Sequence, residues 1–137
     1  MVLVLAGCSQ SNAPPLIPVT GRVTLDNQSL AGAEISFIPT GTTAGAGSRG
    51  RTDPEGTYKL FALRGGVGAV AGEYKVVISR RVLPDGSPLP ANSEVPPIES
   101  NAREQLPPEY SDPARTKLHT VVKAGNEPID FSLRSGK

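Results

Sequence analysis

From residue 18 onward the chain alternates apolar and polar positions in short stretches, each broken by Gly, Pro, Asn or Asp. A period of two marks a strand with one buried face, whereas an amphipathic helix repeats every three to four residues. Seven stretches follow the strand period: 18–25, 33–39, 48–53, 57–63, 73–81, 116–123 and 128–134. The alternation turns Val19, Val23 and Leu25 inward from the first, and Ile35 and Phe37 from the second. Tyr58 and Leu60, then Tyr74, Val76 and Ile78, then Leu118 and Val122, then Ile129, Phe131 and Leu133 complete the inward set. Short strands at this spacing predict an all-β sandwich of seven strands.

The turns support the strands. In "TDPEGTY", Asp53, Pro54 and Gly56 occupy the positions that favour a type I turn closed by a left-handed glycine, so 48–53 and 57–63 are expected to form a hairpin. Asp53 and Glu55 would serve as calcium ligands only within a denser ring of oxygens than this loop provides. "LDNQSLAGA" makes a second turn, with Asn27 tolerating a positive φ, and "KAGNEP" joins the last two strands. Asn27, Gln28 and Ser29 also spell a glycosylation sequon, which matters only in a eukaryotic host.

The 137 residues suit one domain, and a core with no Trp, three Phe and three Tyr must be built from Val, Leu, Ile and Ala. A net charge of +1 lacks the clustered cations on which phosphate binding depends, so no nucleic-acid partner is expected. No apolar run is long enough to span a bilayer as a helix, which leaves covalent attachment as the route to a membrane.

Cys8 is the single cysteine, and it precedes every predicted strand. Leu5, Ala6, Gly7 and Cys8 resemble the lipobox that ends a bacterial lipoprotein signal peptide. That resemblance implies cleavage before Cys8, a diacylglycerol thioether on its sulfur and an acylated N-terminus. Residues 1–7 would then be the remnant of a signal, and the natural start is expected upstream because "MVLVLA" is shorter than a basic region plus an apolar region. Two or more acyl chains hold a protein stably at a lipid surface. Residues 8–17, polar and then Pro-rich, would form a tether. Ser9, standing where an aspartate would mark inner-membrane retention, resembles the class held in the outer membrane. The alternative is an N-terminal tail with an incidental cysteine.

"VTGRVTLDNQSLAGAEISFIP", "GRTDPEGTYKL", "GEYKVVIS" and "LPPEYSDPARTKLHTVVKAGNEPIDFSL" together resemble the carboxypeptidase regulatory-like domain of small bacterial envelope lipoproteins, over residues 18–134. The resemblance implies a seven-stranded, Greek-key, transthyretin-like (prealbumin-like) sandwich with no catalytic residues and no cofactor. Asn27 and Ser29 depart from the Gly and Pro common in that family, as does Ala71 from the Pro common before Gly72.

Other motifs point away from chemistry. Gly45, Gly47 and Gly50 spell G-x-G-x-x-G, but "RTDPEG" follows where a dinucleotide fold requires a helix. His119 is the one histidine; it excludes a multi-histidine metal site and faces outward by alternation. Residues 82–115 hold eight of the 14 prolines between two strands and are read as a long structureless loop. Within it Leu106, Pro107, Pro108 and Tyr110 form a candidate interaction segment, with Leu106 and Tyr110 packing back as anchors. The loop either drapes over the sandwich or presents a recognition surface. The functional expectation is a structural or protein-interaction module of the bacterial cell envelope, binding membrane lipid through Cys8 and an envelope protein. The alternative is a carbohydrate-binding module, although glycan platforms usually use exposed Trp or Tyr.

Overall fold

The computed structural model describes residues 15–88, 102–125 and 128–135. Each of the seven expected stretches contains a strand. In chain order the first half holds β1 (Leu16–Ile17), β2 (Thr20–Leu25), β3 (Gln28–Ser29), β4 (Glu34–Pro39), β5 (Ser48–Arg51), β6 (Thr57–Lys59) and β7 (Phe61–Ala62). The second half holds β8 (Ala69–Val70), β9 (Gly72–Ser79), β10 (Arg81–Val82), β11 (Arg103–Glu104), a one-turn helix α1 (Pro108–Ser111), β12 (Leu118–Val122) and β13 (Phe131–Leu133).

Two sheets make the sandwich. One runs β12-β9-β4-β5-β7, and the other is built on β2, with β13 on one side and β6 then β3 along the other. β13 pairs with β2 in parallel, Phe131 opposite Val23 and Leu133 opposite Leu25, whereas the other ladders are antiparallel. The expected inward set lies between the layers. Val19, Val23, Ile35, Phe37, Tyr58, Leu60, Tyr74, Val76, Ile78, Val122, Phe131 and Leu133 are buried, and Leu25, Leu118 and Ile129 are partly buried against them. Phe37 links the sheets, with its ring 5.5 Å from Tyr74 and 6.3 Å, edge-on, from Phe131. A fully buried side chain of this size contributes about 1.5–3 kcal/mol.

The buried polar groups hold the frame. Tyr58 Oη donates to the Ile129 carbonyl at 2.6 Å, and Tyr74 Oη donates to the Val70 carbonyl at 2.6 Å. Burial raises both phenol pKa values, so these hydroxyls stay protonated donors. Ser48 Oγ donates to the Gly68 carbonyl, and Thr52 Oγ1 accepts from the Ala33 amide. Gly21, the second residue of β2, is required by a close approach: an added Cβ would lie 1.9 Å from the Ile129 carbonyl oxygen.

The 52–58 turn forms as expected. The Gly56 amide donates to the Asp53 carbonyl, the Asp53 amide donates to the Thr57 carbonyl, and Gly56 has φ +81°. The hairpin arms, however, do not stay together. Thr57–Lys59 pair with Arg22–Thr20 of β2 in the opposite sheet, and pairing with β5 is limited to Phe61 and Ala62, opposite Arg49 and Ser48. The strand changes layer at Leu60, which is fully buried. Gly50 permits the crossing, since a Cβ there would sit 2.5 Å from the Lys59 carbonyl oxygen.

The reading of 82–115 as structureless is also corrected at both ends. Leu83 to Ser87 repeat the 53–57 turn, with the Gly86 amide on the Leu83 carbonyl and the Leu83 amide on the Ser87 carbonyl. The chain returns as β11, paired with β10, and then as α1, which begins at Pro108 as prolines favour. The Glu104 carboxylate fastens this return by accepting from Ser79 Oγ, the Arg80 amide at 2.9 Å and the Leu106 amide at 3.1 Å. Residues 89–101 of that loop lie outside the described residues.

Candidate functional site

Cys8 lies outside the described residues, as does most of the expected tether. Leu16 and Ile17, counted with the tether from sequence, belong to the folded part, because they pair with Val70 and Ala69 as β1 with β8.

Of the candidate interaction segment, Leu106 is buried in the core and Tyr110 packs against it, both as expected of anchors. The Tyr110 hydroxyl accepts the Arg134 amide at 3.0 Å, so its polar end is used on the far strand. Pro107 is half-buried and Pro108 exposed. With Glu109, Arg115 and Lys117 these prolines line a hollow of about 370 Å³. The segment therefore works mainly as a clasp, and what it shows to solvent is its two prolines.

His119 is exposed on β12, with Nδ1 3.3 Å from the Lys117 carbonyl oxygen. Gly45, Gly47 and Gly50 lead into and along β5, where no helix follows to receive a phosphate. Among the described residues, no group of three or more His, Cys, Asp or Glu side chains is gathered as for a metal ion.

A broad concavity lies where the hairpin splays. Because β5 stays in one sheet while β6 crosses to the other, an open cleft of about 870 Å³ is left between them, reaching from Thr20 to Leu63. Its margin carries Glu34, Arg49, Arg51, Asp53 and Lys59. Glu34 pairs with Arg51 at 3.3 Å, and Asp53 Oδ1 accepts the Glu55 and Thr57 amides at 2.9 Å each. The guanidinium of Arg80 lies near Arg51, and burial followed by that like charge lowers its pKa. Lys59 Nζ stands 6.0 Å from the centre of the Phe61 ring, which is 50% exposed. This arrangement has no paired acid and base aimed at a common point; it has an apolar surface with charges around it.

Sequence reasoning missed this cleft. The signal was present: alternation that turns Tyr58 and Leu60 inward also turns Phe61 outward, an aromatic facing solvent. The splay that opens the cleft depends on which strand β6 chooses, and the local pattern does not encode that choice.

No protein-family model matches the chain, and no curated protein matches it. Among solved structures the chain is similar to a DUF3823 family protein from Parabacteroides merdae ATCC 43184, with 13% identity and a TM-score of 0.37 over 89% of this chain. The chain spans 45% of that protein's length. At such a score the likeness carries no argument, and the sandwich rests on the strand pairing described above.

Proposed function

We propose that the protein is a non-catalytic lipoprotein of a bacterial cell envelope, in which a carboxypeptidase regulatory-like sandwich of transthyretin-like topology serves as a structural or protein-interaction module. The sequence Leu5-Ala6-Gly7-Cys8, placed ahead of every described strand, carries the anchoring half of this reading. The interaction half is supported by how the polar side chains are used. Tyr58, Tyr74, Ser48, Thr52 and Glu104 are all committed to bonds that hold the frame. Among the described residues, an apolar border of one sheet beside a cleft is left uncommitted. A glycan platform is less well supported, since Tyr58 and Tyr74 are buried and Tyr110 packs on the core.

The experiment is mass spectrometry of the mature N-terminus after expression of the full chain behind a complete lipoprotein signal in a bacterial host. The expected product begins at Cys8, carries a thioether diacylglycerol and partitions with membranes, and Cys8→Ser abolishes both properties. An unmodified, freely soluble parent chain overturns the anchoring.

A further inference from the structure

The two borders of the five-stranded sheet differ in chemistry. Along β12, exposed Lys117, His119 and Lys123 surround the single apolar Val121, a common device for keeping an edge from adding a foreign strand. The β7 border is covered by its own chain, which turns back so that the Ala62 amide donates to the Gly66 carbonyl and the Gly68 amide to the Leu60 carbonyl, and Arg64 is exposed within it, yet its apolar side chains stay uncovered. Phe61, Leu63 and Val67 are 50%, 52% and 43% exposed, three of the four exposed large apolar side chains among the described residues. They fall within seven residues of chain, and Phe61 and Val67 are bridged to each other. Apolar surface concentrated in this way on a soluble domain marks an interaction site more often than chance exposure.

The margin of the cleft beside it decides the chemistry of the partner. With Glu34 engaged by Arg51 and Asp53 holding its own turn, Arg49 and Lys59 remain, neither with a carboxylate partner among the described residues. The outer backbone of β7 is already bridged to Val67, so a ligand here lies across the exposed side chains and the open cleft and adds no strand to the sheet.

We infer that this apolar side-chain surface and the cleft bind an acidic segment of a partner protein that carries aliphatic side chains between its carboxylates. The aliphatic groups cover Phe61 and Leu63, and the carboxylates meet Arg49 and Lys59. A second copy of this chain is disfavoured as the occupant, because a twofold interface sets a patch against itself and would bring Arg49 and Lys59 toward their own images. The inference rests on the reading of the domain as an interaction module and gives that module its site.

The test is NMR titration of the full chain, labelled with nitrogen-15, with two synthetic hexapeptides: alternating glutamate and valine, and alternating lysine and valine. The expected result is shifts at Arg49, Lys59, Phe61 and Leu63 with the glutamate peptide, stronger in low salt, and none with the lysine peptide. Lys59→Glu and Phe61→Ser, both at exposed positions, should each weaken binding about tenfold while leaving the remaining spectrum in place. Equal binding of the lysine peptide, or a dimer whose interface coincides with the cleft, overturns the inference. Glutamate-peptide shifts confined to β12 overturn this site while leaving the module reading intact. Silence with both peptides overturns the proposed partner chemistry. Failure of Cys8 acylation bears on the anchor alone.

Discussion

Replacing Gly21 by alanine probes the tightest crossing in the fold. The new Cβ would lie 1.9 Å from the Ile129 carbonyl oxygen and 2.8 Å from the Tyr58 ring. A clash with main chain cannot be relieved by rotating a side chain, so the segment at Ile129 must lift away from β2. Two hydrogen bonds hold it there: Tyr58 Oη to the Ile129 carbonyl at 2.6 Å, and the Ile129 amide to the Thr20 carbonyl at 2.8 Å. Overpacking costs about 1–3 kcal/mol and each lost bond about 1 kcal/mol, giving an expected loss of about 3–5 kcal/mol. Intrinsic preference runs the other way, since alanine is favoured over glycine within a strand by about 0.5–1 kcal/mol. Tyr58→Phe removes the hydroxyl alone and should cost about 1–2 kcal/mol. Because Gly21→Ala already breaks the Tyr58 bond, the double variant should lose about 1 kcal/mol less than the sum of the singles. Urea unfolding followed by circular dichroism measures all three. A Gly21→Ala protein within about 0.5 kcal/mol of the parent, or a strictly additive double variant, would refute the crossing as described.

Three further outcomes are expected. Glu104→Ala should destabilise the domain by about 2–3 kcal/mol, because the bonds from Ser79, Arg80 and Leu106 lose their common acceptor, and amide exchange should rise first at Arg80 and Leu106. Asp26 and Asp85 both have carboxyl pKa values below the ordinary 3.8, chiefly through hydrogen bonds from Ser135 and Ser87 respectively. Their contribution is therefore complete above the unfolded value and is lost as pH falls through the lower folded value; the thermal midpoint should be flat from neutrality to about pH 5 and fall below about pH 4, less steeply in Asp85→Asn. Gly56→Ala should cost at least 1 kcal/mol by urea unfolding, since alanine is strained at φ +81° and its Cβ would sit 2.8 Å from the Val23 carbonyl oxygen.

Much of the fold was legible because burial on one face imposes a period of two. Val23, Ile35, Phe37, Tyr74, Val76 and Ile78 all sit where alternation put them. Leu30 and Ala69 are also buried, yet one lies in a link between strands and the other in a two-residue strand, where there is no period to read. Asp26 and Asn27 both take positive φ at the two-residue link between β2 and β3, the backbone signature of the tight hairpin for which such residues are favoured. "LPDGS" announces the same turn as "DPEGT", and the proline content around it obscured that signal. The cleft was the least legible feature. Tyr58 and Leu60 fit the interior equally well whether their strand keeps to β5 or crosses to β2, so local pattern leaves the partner open and only long-range packing settles it.

The parallel ladder between β2 and β13 also sets how the domain bears tension. The two strands start at the same pole, so the segment entering β2 and the segment leaving β13 project from opposite poles. Force applied between them pulls the paired strands past one another lengthwise, loading the bonds of that ladder together instead of unzipping them singly. A domain tethered at one end and gripped at the other would resist extension through that clamp.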